Sequence, residues 1–496
     1  MAITLKLPRM APVPESHRLL KPSATPAYAS VRATSPTADD DAYDRDCERG
    51  VPIVLRHSAS GLYSPTHNAA PRMFPMASHA SFGMLVAMTF MTLFMSVVGA
   101  GMLSLPYAFA TAPFWLVLSS LVYVGLSMAF SADTLLRVHI ATSLSTFNAL
   151  AYAALGPWFC HVVSLSTILA VFGACVGCLE IVHDLAPFLL ALVGVPASQH
   201  APTIVLCVFV AIMYPLTLLK KLTALRFSSY IGFGASLYLV VAICVAKAQR
   251  PTAVISPKTE TPPVVLTTAH LMSMFNYAFV MHLNVIPLYD NLRQATHESR
   301  HTPGGSFIYP DASKVMTRIV FAMSTVCVVM YSLFGYNAHA MYGDATNGNI
   351  LLNLEGEALM ALPRVAVLAT ILFSFPLIYH PLLMLCESFT MHIVYQQHPT
   401  SPTVHAASRP ARALASIALM GLLLFVAAVM PGIQVTFSLT GASCVTLICY
   451  VFPGVCYLKL VPDAPMWRKV VVAGVMVVAS VVGVIATVLV CSGTAF

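Results

Sequence analysis

The stretch Ser96-Val97-Val98-Gly99-Ala100-Gly101-Met102-Leu103-Ser104-Leu105-Pro106-Tyr107 lies inside the first long apolar run of the chain. Two closely spaced glycines and a proline interrupt what is otherwise a membrane helix. Hydrocarbon offers no hydrogen-bond partners, so an unwound backbone at that depth survives only inside protein or around a polar ligand. A glycine-broken span therefore points to a transport site as well as to a membrane.

The composition agrees. Of 496 residues, 58% are hydrophobic and 9% are charged. A soluble domain carries roughly 25% charged residues, so this chain has too little polar surface for a soluble fold of its size. Its apolar runs are continuous rather than alternating, which favours an all-α polytopic membrane protein over a β-barrel. Residues 1–80 are rich in Pro, Ser, Thr and Ala, include Asp39-Asp40-Asp41, and show no sustained apolar period. They read as a disordered cytoplasmic tail. No basic segment followed by an apolar core opens the chain, so no signal peptide is expected, and no N-x-S/T acceptor occurs.

From Ser81 onward, at about 20 residues per span, the chain reads as eleven transmembrane helices. They fall near 82–110, 114–136, 158–190, 202–219, 225–246, 267–290, 315–341, 362–391, 411–430, 433–457 and 470–492. The third is too long for one perpendicular helix and is expected to tilt or to extend beyond the bilayer. Positive charge gives the orientation. With the N-terminus cytoplasmic, only Lys247, Arg250, Lys258 and Arg364 of the 26 Lys and Arg fall outside. The net charge of +7 thus follows membrane topology rather than a patch, and no nucleic-acid partner is expected.

Spans one to five and six to ten form two equal groups. Five is odd, so the second group starts on the opposite side of the membrane, which is the arithmetic of an inverted repeat. The division is a first repeat at 81–246, an extracellular loop at 247–266 and a second repeat at 267–457. Residues 458–496 then hold the eleventh helix and a short extracellular C-terminus. Span six should correspond to span one. It reads Phe275-Asn276-Tyr277-Ala278-Phe279-Val280-Met281-His282-Leu283-Asn284-Val285-Ile286-Pro287, and Asn276, His282, Asn284 and Pro287 are unusual company for lipid.

At these residues the chain resembles the amino acid/auxin permease family, and more closely its kinetoplastid amino-acid permeases. Val98-Gly99-Ala100-Gly101-Met102-Leu103-Ser104-Leu105-Pro106-Tyr107-Ala108-Phe109 is similar to the family's G-x-G-x-L-x-L-P-Y-A-F signature. Phe172-Gly173-Ala174-Cys175-Val176 with Asp184 in span three is similar too, as are Met281 to Tyr289 in span six. Phe375-Pro376 with Pro381 in span eight and Leu439-Thr440-Gly441-Ala442-Ser443 in span ten complete the set. The resemblance covers roughly residues 82–490. It implies a LeuT-like fold, a 5+5 inverted repeat plus one helix, and secondary active transport of an amino acid by alternating access.

An amino acid brings a carboxylate and an ammonium. Unwinding span one frees amides at the start of its second half, near Ala100, Gly101 and Met102, to bind the carboxylate. The carbonyls freed at the end of its first half, from Ser96 to Val98, can take the ammonium, and Gly99 and Gly101 let the ligand approach. Phe275, Asn276 and Phe279 are candidates for the opposite wall. Glu180, an ionisable residue in the outer part of span three, is a functional hypothesis by position alone. It could pair with a cationic substrate side chain, handle a proton, or form a structural pair with His183.

Asp184, His282 and Ser374 are candidates for coupling or gating. His380 and Glu387 lie toward the inner end of span eight, and Asp133 with Arg137 has i,i+4 spacing. Sodium-coupled relatives in the resembled family usually place an Asn where this chain has Met95, a poor ligand for a hard cation. Proton coupling and facilitated transport both stay open.

Other classes fit less well. The histidines are dispersed and no paired carboxylates or His boxes mark an enzyme. Cys175 and Cys178 form a C-x-x-C inside a membrane helix without a second pair, which reads as small-residue packing, so no metal or cofactor is expected. The expected partners are an amino acid, the lipid bilayer and, if coupled, protons. The plasma membrane is the expected location, with a vacuole-type membrane open. An amino-acid sensor signalling through residues 1–80 is the alternative to a transporter.

Overall fold

Prolines and glycines set the limits of the helices. Span two (Phe114–Thr142), span six (from Val264) and span eleven (Met466–Cys491) each begin directly after a proline, at Pro113, Pro263 and Pro465. A proline suits such a start because the first turn needs no N–H from it. Gly156, at φ +82°, separates a short helix Phe147–Leu155 from span three (Pro157–Asp184), in a backbone region that side chains with a Cβ avoid.

The computed structural model describes residues 82–194, 201–217, 226–250, 263–300, 311–354, 358–394 and 409–493. The tail expected at 1–80, most of the loop expected at 247–266 and the last three residues lie outside them. Among the described residues eight helices are long and apolar enough to cross a membrane. Span one is a ninth, built from Phe82–Val97 and Ala100–Thr111, which meet at a 49° bend. Two shorter apolar helices, within Ala201–Thr217 and Arg226–Ala248, occupy the places expected for spans four and five. Spans seven, eight and nine are Ala312–Tyr342, Ala358–Val394 and Arg409–Val429, and span ten is Ile433–Leu460.

Two local details depart from expectation. The third run is not one tilted helix: span three stops at Asp184, and a separate helix Ala186–Val193 follows. Pro187, at the start of that helix, supplies the break. Span ten winds as π-helix over Gly441–Val445 and Leu447–Val451, a geometry that frequently marks functional positions.

The bundle turns apolar side chains outward, with Leu414, Phe425, Val484 and Val488 all well exposed, as a lipid-facing surface requires. Trp115, Trp158 and Trp467 are exposed too and stand at the starts of spans two, three and eleven, where interfacial tryptophans belong. Inside, span two packs on spans six, seven and ten, and span six packs on spans ten and eleven. Gly441 makes the approach of span ten to span six possible, since a Cβ there would overlap the Ser273 carbonyl oxygen of span six.

Candidate substrate site

The break in span one runs from Val98 to Gly99. The Val98 amide still donates to Phe94, and the chain re-enters a helical turn when Met102 donates to the Gly99 carbonyl at 3.2 Å. A helix's first amides have no partner within it, so those of Ala100 and Gly101 begin the second half unpaired by their own helix. Gly99 is exposed, and a Cβ there would meet nothing within 4 Å, so the break borders open space.

Gly101 is buried against the second break. A Cβ built on it would lie 3.1 Å from the Tyr277 ring and 3.3 Å from the Ala278 Cα. Span six ends its first half at Ala278 and resumes at His282, in one course over Val264–Gln294. The two interruptions therefore face each other through a glycine. A side-chain bond also joins them, from Asn284 Nδ2 to Ser96 Oγ at 3.0 Å.

Tyr331 of span seven ties both breaks and was not foreseen from sequence. Its buried hydroxyl lies 3.1 Å from the Val97 carbonyl oxygen and 3.2 Å from that of Ala278. One proton is thus shared between the two half-helix ends that breaking the spans leaves unpaired. Val97 was expected to offer its carbonyl to the substrate ammonium; the structure gives that oxygen a protein donor as well. Tyr331→Phe is expected to lower the stability of the purified protein by roughly 1–3 kcal/mol, the cost of leaving buried acceptors short of a donor, and to slow uptake. An unchanged melting temperature together with unchanged uptake would show the hydroxyl to be idle.

Glu180 is buried on span three. Its Oε1 accepts from the Thr436 hydroxyl of span ten at 2.8 Å, and its Oε2 has no partner among the described residues. The partner is Thr436 rather than the His183 suggested by proximity in sequence. The next residue, Phe437, stacks on Tyr277 with ring centroids 4.2 Å apart, and Tyr277 is the ring against Gly101. Gly177 makes room for this, because a Cβ there would run into the Phe437 ring. Glu180 thus reaches the breaks through two side chains. Asp184, one turn on, accepts from Asn349 Nδ2 at 3.0 Å. That bond holds the short helix Ile350–Asn353, which packs on the span-one turn Ala100–Ser104.

The remaining candidates fall in different places. Phe275 and Phe279 are fully buried, and Phe279 meets Tyr331 edge-on at 5.3 Å. Asn276 spends its amide on span ten: Nδ2 donates to Thr446 Oγ1 and Oδ1 accepts from Tyr450, both at 3.3 Å, and Tyr450 in turn bonds Ser127 of span two at 2.8 Å. Met102 is buried beside the turn and Ala100 is half-buried. His282 opens the second half of span six, fully buried, with neither ring nitrogen partnered among the described residues. Ser374 sits half-buried on span eight, whose chief neighbours are spans three and five. Glu387 of span eight pairs with Arg412 of span nine at 2.9 Å.

Asp133 is more than half of an i,i+4 pair. It accepts from Arg137 at 2.8 Å, from Thr317 of span seven at 2.6 Å and from Arg468 of span eleven at 2.5 Å, which makes it a junction of three spans.

Among the described residues no group of three or more His, Cys, Asp or Glu side chains could hold a metal ion. The chain is 22% identical over 426 residues to amino acid transporter AVT6E of Arabidopsis thaliana, covering 79% of this chain and 80% of that one. It is 23% identical over 419 residues to sodium-coupled neutral amino acid transporter 7 of Homo sapiens, covering 80% and 85%. Its fold matches the crystal structure of a manganese transporter of Eremococcus coleocola at TM-score 0.52 and 12% identity, over 85% of this chain and 90% of that one. The fold is therefore LeuT-like, as the paired breaks imply, and the chain is a transporter rather than an enzyme. A family model described as transmembrane amino acid transporter protein matches residues 84–495, and the chain belongs to that family.

Proposed function

We propose that this protein moves a cationic amino acid across its membrane by alternating access, with the substrate backbone held at the facing breaks of spans one and six. The observation that carries the reading is the buried carboxylate of Glu180. One of its oxygens is bonded to Thr436 and the other has no partner among the described residues. A buried charge without a full set of partners is costly. A guanidinium or ammonium reaching that oxygen would complete the set through a charge-assisted bond. The amides of Ala100 and Gly101 would take the substrate carboxylate, and carbonyls of the first half-helix would take its ammonium.

Coupling is read as proton-driven or absent. Although one relative is named sodium-coupled, Met95 offers a thioether where a hard cation needs oxygen. The charge distribution supports a cytoplasmic N-terminus. Fractionation of expressing cells would distinguish a plasma from a vacuole-type membrane.

Uptake into proteoliposomes holding the purified full chain, with a panel of unlabelled amino acids as competitors, tests the reading. Arginine or lysine should compete best, and replacing sodium with choline should leave uptake unchanged. Glu180→Gln should cost cationic uptake roughly ten- to a hundredfold, the worth of one bond to a charged group, and retain neutral uptake. A flattened pH response with selectivity intact would reassign Glu180 to coupling. Strong sodium dependence would refute the ion assignment.

A further inference from the structure

His139 stands near the end of span two and is buried. Its Nδ1 lies 2.9 Å from the Leu144 carbonyl oxygen, and its Nε2 lies 2.9 Å from Asp290 Oδ1. A backbone carbonyl only accepts, so Nδ1 must carry a hydrogen. The neutral ring then has a bare lone pair on Nε2, facing a carboxylate that also only accepts. Two acceptors cannot sit at 2.9 Å without a proton between them. The contact as it stands therefore contains one proton more than a neutral histidine and an ionised aspartate supply.

Asp290 belongs to the second half of span six (His282–Arg300). Tyr289 of the same half-helix packs edge-on against the imidazole at 5.6 Å. The pair thus fastens one half of a broken span, the half-helix that begins beside the site, to span two. The Asp290 side chain is about one-third exposed, at 32%, which gives the proton a route to water.

We propose that the His139–Asp290 pair is a proton site whose occupancy fastens the second half of span six to span two, and whose emptying releases it. On release the proton on Nε2 leaves to water past the carboxylate, and the ring keeps its Nδ1 hydrogen on Leu144. No other bond changes, and the pair loses one positive charge. Histidine is the side chain whose charge ordinarily changes between about pH 5 and 8, so the tie responds in the range where a proton gradient works.

The surrounding charges leave this role to the pair. Arg293, on the same half-helix as Asp290, is the other charge that reaches the imidazole. On span two itself, Asp133 is committed to Arg137, Arg468 and Thr317. Span seven contributes Asp311, which caps its own helix by accepting from the Ser313 amide, with Lys314 and Arg318 beyond it. Span ten contributes Lys459 near its end.

The functional consequence rests on the transport reading, but the tie itself can be measured without transport. Hydrogen–deuterium exchange of the purified full chain should show peptides from 282–294 at least about tenfold better protected near pH 5.5 than near pH 8.5, after correction for intrinsic rates. Asp290→Asn supplies an amide donor to the neutral ring, and His139→Gln supplies one to the carboxylate. Each should make protection of this segment independent of pH. Equal protection of the wild type at both pH values, or a wild-type pH response in both variants, would overturn the proposal. If the exchange behaves as expected and no amino acid is moved, the transport reading fails and the proton site stands.

Discussion

Gly101→Val is expected to cut amino-acid uptake to roughly a hundredth of wild type or less, a loss of the size that a misplacement of about 1 Å at a reacting or binding centre produces. The protein should still be made and inserted. The first carbon of any side chain at this position would already stand 3.1 Å from the Tyr277 ring and 3.3 Å from the Ala278 backbone. Valine adds two methyl groups between a ring already stacked on Phe437 and a backbone that cannot turn aside. The strain is relieved only by parting the two breaks, which separates the groups that would hold the substrate's two charges. Gly441→Ala is the packing control, since its Cβ would overlap the Ser273 carbonyl between spans six and ten. That variant should lower the amount of folded protein as well as uptake. Gly99→Ala marks the other extreme: its methyl enters open space, and the expected change is a raised KM with normal protein levels. Normal uptake by Gly101→Val would remove the facing breaks from the mechanism.

The breaks themselves were legible in sequence because glycine and proline act locally, and a membrane makes an unsatisfied backbone conspicuous. Chain order then paired span one with span six. What the sequence could not express is which partner each polar group finds. Asn276 looks like a pocket residue beside a break, yet its amide is consumed by Thr446 and Tyr450, more than 150 residues away in the chain. Glu180 signalled function through its cost in an apolar run, but Thr436 is 256 residues distant, while His183 was simply near. Tyr331 gave no signal at all, being one tyrosine in an apolar helix. Its role exists only because span seven passes behind both breaks. The end of span three at Asp184 did have a local sign in Pro187, hidden by the continuous hydropathy of the run around it.

Asp133→Ala is expected to be the most destabilising single change in the bundle outside the glycines, at about 3–5 kcal/mol, the usual cost of removing one partner from a buried ion pair. The spacing of Asp133 and Arg137 suggests a helix-surface pair worth a few tenths of a kcal/mol. The structure shows why that undervalues it. The Arg137 side chain is 48% exposed, whereas that of Arg468 is 10% exposed. Water can solvate Arg137 once the carboxylate is gone, and it cannot reach Arg468 in the same way. Two ring contacts, Phe130 at 5.1 Å and Tyr457 at 5.7 Å, do not replace a counter-charge. The Thr317 hydroxyl would lose its acceptor as well. Arg137→Ala should therefore cost no more than about 1 kcal/mol, although it breaks a bond to the same carboxylate. Melting temperatures of the purified variants separate these cases. The double variant Asp133→Leu with Arg468→Met should recover most of the loss, because removing both buried charges also removes the desolvation that only their pairing offset. Equal losses for Arg137→Ala and Asp133→Ala would mean that the carboxylate acts within span two alone and does not join spans two, seven and eleven.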